Sequence, residues 1–142
     1  VAPSNTYSWI ERLKNMFDFP RKFKVNQVID MEIKSAMANV VDELSKLQID
    51  ANIEDLENGL KLVVQHGNEE DFVYSVVRRK HQQPEFAQEN IDTDDEQSYY
   101  RAEVHLREGG QDYDVMGWSK HAVINDIIDQ YHKHQHFLHL MR

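Results

Sequence analysis

The chain is 142 residues long, 40% hydrophobic and 29% charged, with a formal net charge of −9 and no cysteine. That length fits one domain, or one domain with a short appendage, and it is enough to bury a core without disulfide staples. The composition excludes disulfides, thiolate nucleophiles, iron–sulfur ligation and cysteine zinc sites, and no run approaches the ~20 apolar residues of a transmembrane helix.

The charge is unevenly spread. Residues 1–26 carry five cations, Arg12, Lys14, Arg21, Lys22 and Lys24, against Glu11 and Asp18, whereas residues 27–142 sum to −12. The acidic body disfavours nucleic acid as a partner. The basic segment suits an anionic membrane surface or an acidic partner. We therefore expect two parts, a basic helix with its connector over 1–26 and an acidic domain over 27–142. The N-terminus has no charged start followed by an apolar run, as a signal peptide would, and it opens on Val1, as expected of a piece of something longer.

In chain order, Ser8 and Glu11 have the spacing of a capping box. The helix they would open runs to about Phe17, with Trp9, Ile10, Leu13, Met16 and Phe17 as an apolar stripe, and Pro20 stops it. Residues 18–26 read as a basic connector, with Asn26 capping the next helix. From Gln27 to about Leu47, apolar positions recur at helical spacing with no glycine or proline inside. The period then changes to two. Residues 49–56, 60–65, 71–80, 98–108 and 112–117 read as strands, separated by a polar turn at 66–70, an acidic loop at 81–97 and the Gly109-Gly110 turn. Ser119 caps a last helix with Val123, Ile124, Ile127, Ile128, Tyr131 and Leu138 on its apolar side. Strands joined by short turns are antiparallel. The expected fold is α+β: an antiparallel meander of four or five strands, two long helices on one face, and a short N-terminal amphipathic helix.

Motifs that carry chemistry are weak. His132, His136 and His139 fall at i, i+4 and i+7, a spacing that lets one helix face share a metal ion, but no glutamate completes the pattern and a solvated face outweighs it. Asp92, Asp94, Glu96 and Glu103 superficially resemble a calcium loop, yet Gln97 stands where the sharp turn needs glycine. Tyr99, Tyr100, Tyr113 and Trp118 would be the residues of an aromatic cage for a quaternary ammonium, against the more ordinary role of cross-strand packing. There is no glycine-rich phosphate loop and no nucleophile elbow. We expect no catalytic centre, no cofactor and no metal.

Three runs stand out: Glu69-Glu70-Asp71-Phe72-Val73-Tyr74, then Tyr99-Tyr100-Arg101-Ala102-Glu103-Val104, then the helix from Ser119 to Tyr131 with the ending His136-Phe137-Leu138-His139-Leu140. Together they resemble the cytoplasmic C-terminal domain of choline transporters of the betaine–carnitine–choline transporter family. The resemblance runs from about Trp9 to Leu140, and the basic run from Arg12 to Arg21 is similar to the juxtamembrane connector after the last transmembrane helix. It implies that the parent is an ion-gradient-driven choline importer of the bacterial inner membrane, used in osmotic protection. Its substrate and coupling sites lie among transmembrane helices that this chain lacks, so no transport residue carries over.

The expected function is a non-catalytic, osmotic-stress-responsive regulatory domain on the cytoplasmic face. Its expected partners are the transporter's transmembrane domain and an anionic membrane surface, met through Trp9, Arg12, Leu13, Lys14, Arg21, Lys22 and Lys24. Two alternatives stand beside it. One is choline or betaine sensing through the Tyr/Trp cluster; the other is a protein-interaction or homo-oligomerisation module using the N-terminal helix.

Overall fold

The structure, a computed structural model, describes residues 9–84, 98–107 and 111–141. The elements run α1 (Trp9–Met16), α2 (Lys22–Val28), a π-helical turn (Ile29–Ile33), α3 (Lys34–Lys46), β1 (Asp50–Leu56), β2 (Gly59–His66), β3 (Glu69–Gln82), β4 (Ser98–Leu106), β5 (Tyr113–Asp114) and α4 (Lys120–Met141). This is the expected α+β architecture, and Ser8 lies outside the described residues.

α2, the π turn and α3 form one continuous helix. Its buried positions Val25, Ile29, Ile33 and Met37 are spaced by four, and each four-residue step overshoots an α-helical turn by about 40°. A regular α-helix would carry that stripe off the sheet. The wider π turn takes back part of the drift, so Val25 and Leu44 face the same core. The helix closes with Gln48 at φ 63°, where the Ile49 N–H reaches the Leu44 carbonyl at 2.9 Å and the Gln48 N–H reaches that of Ser45 at 2.9 Å. This left-handed cap turns the chain sharply into β1.

Helix α2 opens at Lys22, so the connector expected over 18–26 is shorter than the sequence implied. Val25 is fully buried, and Asn26 sits inside the helix and accepts a hydrogen bond from Arg78 Nη1 at 2.6 Å. Short polar residues cap helices in isolation, but here the burial of Val25 rewards an earlier start.

The five strands pair in sequence order, all antiparallel. Alternation puts Leu60, Leu62, Val64, Phe72, Tyr74, Val76, Ala102 and Val104 on the face covered by α2, α3 and α4. Gly59 lies so close to β3 that an added Cβ would sit 2.0 Å from the Val76 carbonyl oxygen. One irregularity has a consequence at α4. The register shifts after Val64, which opposes Phe72, to Gln65, which opposes Glu70, leaving Asp71 as the extra residue. That bulge aims Asp71 at α4, where its Oδ1 lies 3.1 Å from His134 Nε2.

The expected strand at 112–117 shrinks to Tyr113–Asp114. Gly117, at φ 83°, and the Trp118 N–H bond to the Val115 carbonyl bend the chain towards α4 instead. Of the acidic loop only 81–84 are described, and Asp92, Asp94, Glu96 and Gln97 of the calcium-like spacing lie outside the described residues.

Candidate functional site

Three arrangements are built well enough to carry function. The first is the N-terminal face. Pro20 is buried, and its carbonyl accepts the Tyr100 N–H at 2.8 Å, so the segment after α1 runs along the edge of β4. Arg101 closes the junction. This residue is 7% exposed, and its guanidinium donates to the carbonyls of Asn15 at 2.7 Å and Asp18 at 2.6 Å and to Asn15 Oδ1 at 3.0 Å. Asn15 Nδ2 in turn donates to Asp114 Oδ2 at 3.1 Å, which lies 3.4 Å from Arg101 Nη1. A cation on the last carbonyls of a helix is favourable for the helix dipole, and the planar fork suits several acceptors at once. Burial pushes the Asp114 carboxyl above its ordinary range, while the Met116 N–H, Arg101 and Asn15 act in the other direction. On the outer side of this junction Trp9, Leu13, Met16 and Phe17 are exposed, as are Arg12, Lys14, Arg21, Lys22 and Lys24.

The second is a buried node that the sequence did not reveal. Asp126, on the core side of α4, accepts from Tyr74 at 2.7 Å and from Tyr113 at 2.5 Å through the same Oδ2. Burial is the largest cause raising both phenols, with the Asp126 charge adding to it. Both therefore stay protonated donors, and the sign of the pH effect follows. A phenol whose pKa is higher folded than unfolded stabilises the fold fully below the unfolded value, and that stability is lost as pH rises beyond it. Stability should fall above about pH 10. Tyr113→Phe should halve this node's share of the slope, read from urea midpoints between pH 9 and 11; an unchanged slope would count against the bond.

The four tyrosine and tryptophan candidates are not brought together. Tyr113 and Trp118 stack, with ring centroids 6.2 Å apart. Tyr99 is on the other face of the sheet, against Phe19 and His81 at 5.2 Å each, with the Arg101 guanidinium over its ring. Tyr100 faces the helices with the core. Adjacent strand residues point to opposite faces, so the pair Tyr99-Tyr100 is split by the pleat itself.

The histidines also sort differently from their helical spacing. His132 and His136 are exposed and the side chain of His139 lies outside those described, whereas His134 is buried against Asp71 and Phe72. Among the described residues no group of three potential ligands converges.

The third arrangement is the open face of the sheet. Glu103 lies 2.6 Å from His81 and 3.5 Å from Arg79, and Asp112 lies 2.9 Å from Arg79 and 3.0 Å from His105. This ladder is largely solvated, so each pair contributes little to stability, of order 0–1 kcal/mol. Beside the π turn, Asn26, Asp30, Asp55, Glu57 and Arg78 line a polar cleft of about 250 Å³.

No family model matches the chain. Relatives do. The glycine betaine transporter of Acinetobacter baylyi is 39% identical over 99% of this chain and 22% of its own length. The high-affinity choline transport protein of Escherichia coli is 34% identical over 95% of this chain and 21% of its own length. The osmo-dependent choline transporter of A. baylyi is 31% identical over all of this chain and 21% of its own length.

The match runs nearly end to end, so the chain is homologous to one part of a membrane transporter. Those relatives are choline and glycine betaine transporters, and the chain spans about a fifth of their length. No helix of the described residues is long and apolar enough to cross a membrane.

Proposed function

We propose that this chain is a non-enzymatic regulatory domain of a choline or glycine betaine transporter, at the C-terminal, cytoplasmic end of the parent protein. The observation that carries the reading is the pairing of two facts. The chain matches transporters almost end to end, yet it supplies only about a fifth of them and no spanning helix among its described residues. Substrate has to be moved by the remaining four fifths. A folded appendage then acts on transport through contacts and not through the substrate path. That one relative is named osmo-dependent supports osmolality as the signal. The transmembrane part of the same protein is the first partner.

The test is uptake by the parent transporter with residues 27–142 removed. Labelled choline or glycine betaine should still enter cells, with the rise in uptake on adding external salt or sugar flattened or displaced. Loss of substrate binding by a truncated protein that still reaches the membrane would overturn the regulatory reading.

A further inference from the structure

The strand order leaves β1 on the outside of the sheet, seven residues long. The opposite edge is already taken up, by β5 and by the Pro20 carbonyl that accepts the Tyr100 N–H. On β1 the two-residue turn Glu57-Asn58 joins Leu56 to Gly59, so that pair exchanges both of its backbone bonds. Alternation from there gives the bonds to β2 to Asp50, Asn52, Glu54 and Leu56. Ala51, Ile53 and Asp55 therefore turn their N–H and C=O groups away from the sheet, and among the described residues no strand pairs with them. Ala51 and Ile53 are half-buried on the helix face, against the core, whereas Asp50, Asn52 and Glu54 point to the open face.

An outer strand with free donors and acceptors is a template for another chain, and its charges decide which one. Residues 50–57 carry Asp50, Glu54, Asp55 and Glu57 and no cation. Asp30 joins Asp55 and Glu57 around the cleft at the end of the hairpin, where Arg78 supplies one positive charge. Lys61 approaches Glu54 at 3.6 Å from β2 and offsets only part of this charge. A second copy is the poorer occupant, because strand on strand would bring two sets of Asp50, Glu54 and Asp55 together. The same charges favour a basic strand. We propose that β1 takes up an extended basic segment of a partner protein as a further, antiparallel strand, bonded to the backbone of Ala51, Ile53 and Asp55. Its apolar side chains continue the core beside Ala51 and Ile53, and its lysines or arginines meet Asp50 and Glu54 on the other face. The inference stands on this edge and not on the regulatory role, so it can fail or hold independently of transport.

The test uses the 142-residue chain and a fluorescent seven-residue peptide of alternating lysine and valine, with lysine at both ends. Anisotropy should show binding that weakens as salt rises and is absent for the matching glutamate–valine peptide. Asp50→Asn and Glu54→Gln should each weaken it about threefold. The pleat makes a sharper demand. Valines opposite Ala51, Ile53 and Asp55 exchange the backbone bonds, whereas the lysine N–H groups point away. Methylating the valine nitrogens should abolish binding, and methylating the lysine nitrogens should spare it. Ala51→Pro removes an outward N–H and no bond to β2, so circular dichroism should show the fold intact while binding weakens about fivefold. Hydrogen exchange at the Ala51, Ile53 and Asp55 amides should slow when peptide is added.

Binding that ignores which nitrogens are methylated, or that leaves those amides exchanging as fast as before, would overturn the proposal. Absence of binding at millimolar peptide would do the same. Protection of the same amides without peptide, in a chain that is dimeric in solution, would make a second copy the occupant instead.

Discussion

Asp126→Ala should lower the unfolding free energy by about 3 kcal/mol and the melting temperature by roughly 10 °C. The carboxylate is the shared acceptor of two phenols, and its own residue is only 8% exposed. Without it, the fully buried Tyr74 hydroxyl loses its charged acceptor and keeps only the neighbouring Tyr113 hydroxyl, a loss of about 1–3 kcal/mol, and Tyr113 adds a smaller share because it is only part-buried. Relief from burying a charge offsets part of this. Three elements lose their tie at once, since Tyr74 is on β3, Tyr113 on β5 and Asp126 on α4.

Two comparisons separate the hydrogen bonds from the packing. Tyr74→Phe alone should cost nearer 1 kcal/mol, because Asp126 keeps Tyr113. In the Tyr74→Phe background, Asp126→Ala should be milder than in the parent, since one affected hydroxyl has gone; the cycle should give a coupling of about 1 kcal/mol. Urea denaturation of the four proteins measures it. Additive effects, or an Asp126→Ala protein within 0.5 kcal/mol of the parent, would remove the node from the account of stability.

Much of the fold was legible because burial follows periodicity. The helical stripe from Val28 to Leu44, the alternation of Tyr100, Ala102, Val104 and Leu106, and the Ser119 cap, whose Oγ accepts the Ala122 N–H at 3.1 Å, all followed from spacing and residue type. Polar residues defeated the same logic on α4. There Ile128 is 47% exposed, while Asp126 and His134 are buried, because each finds a partner on the sheet that lies far away in sequence. No local pattern announces a bond between residues 52 or 63 positions apart.

The candidate site was legible in its charges and its apolar stripe, both one-dimensional properties. The Arg101 junction was not, because an arginine on an alternating strand reads as a solvated residue. The bulge that turns Asp71 to His134 was equally silent.

Arg101→Ala should cost about 3 kcal/mol at neutral pH and release α1 from the sheet. Three bonds to Asn15 and Asp18 go with the guanidinium, and Asp114 loses its nearest cation. Arg101→Lys should rescue little, since a single ammonium cannot span two carbonyls and an amide oxygen that the fork reaches together.

Burial already raises the Asp114 carboxyl, and Arg101 is among the groups that oppose that rise. Without Arg101 the folded-state value climbs further above the unfolded one. Below about pH 4 the unfolded carboxyl is protonated too, so no difference remains there. At pH 7 the unfolded chain carries the charge freely, whereas the folded one must hold it half-buried or take up a proton. The variant should therefore be more destabilised, relative to its parent at the same pH, at pH 7 than at pH 4. Adding Asp114→Asn should remove that difference and leave the constant loss of the α1 bonds. Urea midpoints at both pH values measure the first effect, and trypsin cleavage at Arg12 and Lys14 measures the release of α1. Equal destabilisation at the two pH values, with α1 cleaved no faster, would show that Arg101 is neither the counter-ion of Asp114 nor the clasp of the N-terminal helix.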